Sequence, residues 1–98
     1  MGFSKIYNIF MDWKIEFTKK AQKQFNSLDN SVKLRIKKYI LEKLTINPKL
    51  HLIPLLGDKS GFYKFRVGDY RLLCAKEDDK YIITVVKVKH RKEVYNFN

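Results

Sequence analysis

The sequence predicts one α+β domain in which a helical hairpin packs on one face of a predominantly antiparallel sheet. The chain has 98 residues, which is the length of a single small domain. Its apolar residues recur at every second position near the beginning, then at every third or fourth, and then at every second position again. Very short turns join the last three alternating runs, which favours antiparallel neighbours. The predicted order of elements is therefore β-α-α-β-β-β.

The first strand is predicted at residues 13–17, where apolar and polar side chains alternate. Thr18 then suits the N-cap of a first helix, because its hydroxyl can accept a hydrogen bond from a free N–H group of the first turn. The apolar stripe of that helix has spacings of four and three: Ala21, Phe25 and Leu28.

A second helix of about four turns is predicted between two breaks in the pattern. It follows the turn and capping residues 29–31 and ends at Asn47-Pro48, since a residue before proline disfavours helical dihedral angles. The apolar positions of this helix are Val32, Ile36, Tyr39, Ile40 and Leu44. Residues 50–56 are expected to form an apolar connection to the rest of the sheet.

Three further strands are predicted at residues 62–67, 70–76 and 81–88. The turns between them contain Gly68-Asp69 and residues 77–79, so the three strands should form an antiparallel meander. The last of them is apolar on both faces, which favours a central place in the sheet or a covered second face.

Lysine and arginine total 21 against 10 acidic residues, which gives a formal net charge of +11. This excess indicates a polyanionic partner, although charge alone does not separate a nucleic acid from an acidic protein or membrane surface.

Two histidines and the single Cys74 offer no metal-ligand spacing, so no metal or cofactor is expected, and Cys74 is interpreted as a core residue. No segment has the length of a signal peptide or a membrane span, which favours a cytoplasmic location without membrane contact.

Cationic side chains collect on the predicted sheet. In the second strand, alternation places Lys64 and Arg66 on the face opposite to Tyr63, Phe65 and Val67. The three apolar side chains belong against the helices, so the two cations should face away from them.

Arg71 is also expected to point away from the core, and Lys87 and Lys89 should share a face opposite Val86 and Val88. Any one of these cations is most simply an exposed strand residue that discourages aggregation. Several on one face repel one another unless an anion lies between them. The residues expected to converge are Lys64, Arg66, Arg71 and Lys89.

The sequence next to these cations adds His90, Arg91 and Tyr95. Histidine is a common proton-transfer side chain, so His90 is a candidate for that role, whereas Tyr95 could stack on a base, orient a phosphate or fix the tail to the sheet. Fixed donors beside a proton-transfer group suit a phosphodiester, and RNA is the substrate that this pattern indicates first. The residues expected to bind RNA outside the reacting centre are Lys33, Lys37, Lys87 and Lys89. The helical cations among them could equally form an ordinary solvated face.

At this point the chain resembles the RelE/ParE superfamily of bacterial toxins from toxin–antitoxin pairs. The resemblance extends over residues 11–95 and is carried by four segments: WKIEFTKKA at 13–21, the helical hairpin with Leu28-Asp29, YKFRVGDYR at 63–71 and HRKEVY at 90–95. It implies a RelE-like domain at residues 11–98. Residues 1–10 are interpreted as an N-terminal extension or a misassigned start.

Similarity to the RelE-like branch implies a ribosome-dependent endoribonuclease that cuts messenger RNA. In that reaction the ribose 2′-hydroxyl attacks the adjacent phosphate and leaves a cyclic phosphate and a 5′-hydroxyl. The residues that the resemblance assigns to catalysis are Lys64, Arg66, Arg71, His90, Arg91 and Tyr95.

Within that set, the resemblance implies that Lys64 or His90 assists removal of the 2′-hydroxyl proton and that Arg66 and Arg71 stabilise the charged transition state. Arg91 or His90 would help the leaving oxygen. Tyr95 would position or stack the nucleotide.

The general acid is the least determined role. Lys89, His90 and Arg91 compete for the family position that supplies it, because this chain has Lys89 where many members have glycine before the His-Arg pair.

The main alternative is the ParE-like branch, which shares the fold and inhibits DNA gyrase by binding it, without cleaving RNA. A second alternative is a non-catalytic RNA-binding module. Both toxin interpretations imply a cognate antitoxin, expected to be acidic and partly disordered, that covers the cationic surface. The expected partners are therefore this antitoxin and ribosome-bound messenger RNA, with DNA gyrase in the alternative.

Overall fold

The computed structural model describes residues 13–57 and 60–93 of the chain. The expected extension at residues 1–10 and the predicted site residue Tyr95 lie outside this part. The elements in chain order are β1 (Lys14–Phe17), α1 (Lys19–Asn26), α2 (Asn30–Tyr39), a π-helical turn (Ile40–Leu44), α3 (Pro48–His51), β2 (Ile53–Pro54), β3 (Phe62–Val67), β4 (Tyr70–Glu77) and β5 (Ile82–His90).

The predicted α+β class is confirmed. In the described residues the strands form one sheet in the order β1-β5-β4-β3-β2, and the helices pack on one of its faces. The β2–β3, β3–β4 and β4–β5 pairs are antiparallel, whereas β1 runs parallel to β5. A parallel pair requires a long crossover, and the helices between β1 and β5 form part of it.

Thr18 caps α1 as predicted and also ties the helix to the sheet. Its hydroxyl accepts a hydrogen bond from the N–H of Ala21 at 3.1 Å and donates one to the carbonyl of Val86 at 3.3 Å. Ala21 and Phe25 are buried on the stripe that faces β5. The cap therefore fixes where α1 starts over the sheet.

The second helix differs from a regular α-helix in its last turn. α2 ends at Tyr39, and the chain continues through the π-helical turn, where the Thr45 N–H donates to the Ile40 carbonyl five residues earlier. The wider turn keeps Ile40 and Leu44 in the core. The carbonyl of Thr45 then accepts a 2.6 Å hydrogen bond from the Trp13 N–H, which connects the helical layer to the start of β1.

The expected apolar connection at residues 50–56 contains parts of two short elements. Asn47 caps α3 by accepting a hydrogen bond from the Leu50 N–H, with Pro48 in the first turn. β2 then pairs with β3 at the edge of the sheet, where Pro54 is tolerated. These elements are too short to produce a periodic apolar pattern, which is why the sequence did not reveal them.

The main core lies between the helices and the inner face of the sheet. It contains the predicted inward residues of α1, α2 and β3 together with Leu72, Cys74, Ile83, Val85 and Val88. Burial raises the pKa of the Cys74 thiol to about 12, in agreement with its interpretation as a core residue.

A β-bulge in β5 determines which side chains reach the outer face of the sheet, the face opposite the helices. Cys74 pairs with Val85 and Leu73 pairs with Lys87, so Val86 is the extra residue. Val86 packs against Leu73 on the outer face, whereas Val88 belongs to the main core. The expectation that Val86 and Val88 share a face was wrong, because the bulge shifts the alternation by one residue.

Candidate functional site

The outer face of the sheet carries a row of three cations on adjacent strands. Arg66 of β3 pairs with Arg71 of β4, and Arg71 pairs with Lys89 of β5. Side chains of directly paired residues project from the same face with Cβ atoms about 5 Å apart. The predicted convergence of these three residues is therefore what the strand register produces.

A second row lies one step along the same face. Lys64 of β3 pairs with Leu73, and Leu73 pairs with Lys87 of β5. Leu73 belongs to a small apolar cluster with Leu55, so apolar surface separates the two lysines. Lys64 lies two residues before Arg66 on its strand, which places an ammonium group beside the three-cation row.

Arg71 is held by the backbone of the adjacent turn. Its Nη1 donates to the carbonyl of Gly68 at 2.8 Å and to that of Tyr70 at 3.0 Å. Partial burial lowers its pKa, and the positive charges of Arg66 and Arg91 lower it further, while Asp69 opposes the shift. The guanidinium is thus fixed in place and surrounded mainly by like charge.

The turn between β3 and β4 brings Arg91 to the same region. The Arg91 N–H donates to the Asp69 carbonyl at 2.6 Å, and its Nε lies 3.8 Å from an Asp69 carboxylate oxygen. Gly68 adopts a φ of 57°, a left-handed conformation that favours glycine. The turn therefore anchors the end of β5 next to Arg71.

His90 lies on the other face of the sheet. It pairs with Tyr70, and the two rings form an edge-to-face contact with centroids 5.1 Å apart. Its ring Nδ1 accepts a hydrogen bond from the backbone N–H of Lys92, and the backbone N–H of His90 donates to the carboxylate of Glu93. The structure does not bring His90 together with the cations of the outer face.

The helical lysines are also separated from the cation row. Lys37 has its ammonium group 6.0 Å from the centroid of the Phe25 ring, and Lys33 lines a shallow depression between α1 and α2. Both lie on the helical layer, whereas Lys87 and Lys89 lie on the outer face. The four residues expected to bind RNA thus occupy two different surfaces.

One cation beside the site lies outside the set of site residues predicted from the sequence. Arg35 of α2 reaches the β3–β4 turn, and a Cβ atom built on Gly68 would lie 3.0 Å from its Nη1. Helical spacing predicts the side of α2 on which Arg35 lies, because two residues along an α-helix correspond to a rotation of about 200°. Arg35 therefore points away from the side occupied by Lys33 and Lys37.

The arrangement supplies guanidinium and ammonium donors. No group of three or more His, Cys, Asp or Glu side chains suited to a metal ion occurs among residues 13–57 and 60–93. Within the same residues, no helix has the length and apolar character needed to cross a membrane. Several fixed donors around one point can bind and polarise an oxyanion such as a phosphate.

Comparison with known proteins agrees with this geometry. The family model described as "ParE toxin of type II toxin-antitoxin system, parDE" matches residues 15–95. Toxin RelG of Mycobacterium tuberculosis is 25% identical over 85 residues, which cover 87% of this chain and 98% of the relative.

Solved structures of toxins and of toxin–antitoxin complexes contain chains with the same fold. The toxin–antitoxin complex RelBE2 of Mycobacterium tuberculosis contains a chain with a TM-score of 0.77 and 23% identity, covering 83% of this chain and 93% of that chain. The RelB–RelE complex of Methanococcus jannaschii gives a TM-score of 0.61 with 28% identity over 84% of this chain and 96% of the other. The isolated RelE toxin of E. coli gives 0.60 with 27% identity, covering 86% and 92%. The chain belongs to the ParE toxin family and is a type II toxin of the RelE/ParE superfamily.

Proposed function

We propose that this toxin is an endoribonuclease that cleaves messenger RNA on the ribosome. The observation that carries the proposal is the register of Arg66, Arg71 and Lys89, which aligns three cations across three strands of one open face. Likeness to proteins named RelE supports the same conclusion. Its action on ribosome-bound message would take place in the cytoplasm.

In the proposed reaction the 2′-hydroxyl of one nucleotide attacks the adjacent phosphorus atom and the bond to the 5′-oxygen of the next nucleotide breaks. The products are a 2′,3′-cyclic phosphate and a 5′-hydroxyl. Arg66 and Arg71 bind the phosphate oxygens, and their fixed charge stabilises the additional negative charge of the transition state. Arginine suits this role because its planar fork remains protonated.

Proton transfer is assigned to lysines that share this face. Lys64, next to Arg66, is assigned to accept the 2′-hydroxyl proton. Lys89, paired with Arg71, donates a proton to the leaving 5′-oxygen, and Arg91 stabilises that oxygen from the adjacent turn. His90 is assigned a positioning role because its ring lies on the helical face.

Tyr95 keeps the role that the resemblance implies, which is to stack on or position the nucleotide. Because it lies outside the described residues, this assignment is tested together with that of Arg71. We expect the double variant Arg71→Ala, Tyr95→Phe to cut ribosome-bound message at least about a hundredfold more slowly, the usual cost of losing one transition-state donor. The measurement is mapping of RNA ends after brief induction, and equal cutting by variant and wild type would contradict the proposal.

The ParE-like alternative is favoured by one finding, the description of the matching family model. Under this alternative the toxin inhibits DNA gyrase by binding and cuts no RNA. Brief induction would then cause double-strand DNA damage while translated messages remain intact. A non-catalytic RNA-binding module would show affinity for RNA without either effect.

The proposed physiological partner is an antitoxin. Several similar structures are complexes of a toxin with an antitoxin, such as those of Mycobacterium tuberculosis and Methanococcus jannaschii. A net charge of +11 favours an acidic partner segment that covers the cationic face. Such a segment would block substrate access and neutralise the repulsion among the cations.

A further inference from the structure

The cationic surface continues beyond the sheet, around the β3–β4 turn and onto α2. Arg35 is an exposed residue of α2 whose guanidinium lies against Gly68. The missing side chain at Gly68 leaves room for it, because a Cβ atom would lie 3.0 Å from Nη1. A helix residue and the sheet hairpin therefore present their positive charges at one place.

Arginines from three elements meet at this turn. Arg71 donates to the Gly68 carbonyl from β4, and Arg91 contacts Asp69 from the turn that directly follows β5. Asp69 supplies one negative charge, which lies next to Arg91. Among the described residues Arg35 has no ion pair and no side-chain hydrogen bond, so its charge lacks a partner there.

We propose that Arg35 and the Gly68-Asp69 turn form a second phosphate site, which binds an RNA backbone phosphate next to the one that is cleaved. This inference rests on the proposed function, since the first phosphate is bound by the cation row of Arg66, Arg71 and Lys89. A guanidinium without a protein partner retains its full set of donors for a phosphate. The RNA backbone would pass from the outer face of the sheet over the turn to α2.

The test is a salt titration of RNA binding with the full chain. The probe is a short single-stranded RNA that carries a 2′-deoxy substitution at the cleaved position and therefore remains intact. Each phosphate neutralised on a single strand contributes about 0.7 to the slope of log affinity against log salt concentration. For Arg35→Ala we expect a slope smaller by about 0.7 and affinity reduced about tenfold at low salt.

Lys49→Ala is the matched control. Lys49 is exposed, its loss also removes one positive charge, and it lies in a depression with Asp78 and Tyr81 near the β4–β5 turn. That turn is at the opposite end of β4, about 25 Å from Gly68. We expect Lys49→Ala to leave the slope of the wild type unchanged.

An unchanged slope for Arg35→Ala, equal losses in the two variants, or absence of salt-dependent RNA binding by the wild type would overturn the inference. If thermal unfolding shows that Arg35→Ala is not folded, Arg35→Gln replaces it, because this variant removes the charge and retains most of the side-chain stem. The expected and the overturning results are then the same for Arg35→Gln. Failure of the proposed function is a separate result, because a wild type that binds the probe and never cuts ribosome-bound message would contradict only the nuclease.

Discussion

Arg71 combines partial burial with positive neighbours, which is an unfavourable position for a cation in a free protein. Burial, Arg66 and Arg91 all lower its pKa, and only Asp69 acts in the opposite direction. Backbone carbonyls nevertheless hold its guanidinium in place. A phosphate bound at this place would relieve the repulsion among the cations. The relieved repulsion adds to the affinity for the phosphate, although the same cations contribute little to the stability of the free protein.

Single substitutions at Lys89 and His90 distinguish these two candidates for the general acid. We expect Lys89→Ala to slow cutting of ribosome-bound message about a hundredfold, because the ammonium beside Arg71 would be lost. We expect His90→Phe to cut nearly as fast as the wild type, because its ring would keep the contact with Tyr70 on the helical face. RNA-end mapping with equal toxin levels measures both. Fast cutting by Lys89→Ala and loss of cutting by His90→Phe would reverse the assignment.

At the scale of elements, the β4–β5 hairpin depends on a lysine that packs like a core residue. The Lys76 side chain is only 10% exposed, lies 5.1 Å from the Tyr63 ring centroid and pairs with Asp78 at 3.2 Å. Its methylene groups fill space beside the core while its ammonium contacts the ring and the turn.

We expect Lys76→Ala to lower the free energy of unfolding by about 1–3 kcal/mol, since it removes packing, a cation–π contact and an ion pair. The control is Lys80→Ala, which removes an exposed pair with Glu77 and should cost less than about 1 kcal/mol. Urea denaturation of both variants gives the difference. Equal costs would mean that burial of Lys76 contributes nothing.

The elements that could be predicted from sequence are those with a sustained apolar period. The Thr18 cap, both long helices and the inward face of β3 follow from local spacing. The β5 bulge does not, because the strict alternation of a strand gives no sign of where one residue will be left unpaired. With Val85 facing the core, unbroken alternation would have placed Lys89 on the helical face and away from Arg71.

Which residues contribute to the site could therefore be predicted better than how they lie relative to one another. Lys64, Arg66 and Arg71 lie on a short hairpin, so their common face could be read from alternation alone. Which of the neighbours Lys89 and His90 shares a face with Arg71 depends on the register of β5 against β4, and the place of Arg35 depends on how α2 crosses the sheet. Helical spacing separates Arg35 from Lys33 and Lys37, but the strand register and the crossing of α2 over the sheet are properties of tertiary packing, for which a single sequence has no local signal.

At the scale of the whole molecule, charge is distributed unevenly along the sheet. Arginines surround the β3–β4 turn, whereas the β4–β5 turn carries the acidic residues Glu77, Asp78 and Asp79. A polyanion approaching the protein is attracted more strongly to the first turn than to the second, where Lys76 and Lys80 pair with Asp78 and Glu77. The fold thus orients its partner before contact, and this effect should weaken as salt concentration rises.

The buried thiol of Cys74 can report opening of the whole fold. Its side chain is fully buried on a central strand, and burial raises its pKa from 9.0 to about 12. At pH 8 the native thiolate fraction is therefore lower than that of the unfolded chain by a factor of about a thousand. The same shift means that this group's contribution to stability is complete below pH 9.0 and is lost as pH rises to about 12.

We therefore expect iodoacetamide at pH 8 to modify Cys74 in proportion to the small fraction of molecules whose fold is open, and much more slowly than in the urea-unfolded chain. Lys76→Ala should accelerate labelling by the factor that corresponds to its loss of stability, because labelling requires opening of the core that Lys76 helps to close. Mass spectrometry over time provides the rates. Rapid labelling of the native wild type would show that β4 is accessible without unfolding and would contradict the central position of Cys74 in the core.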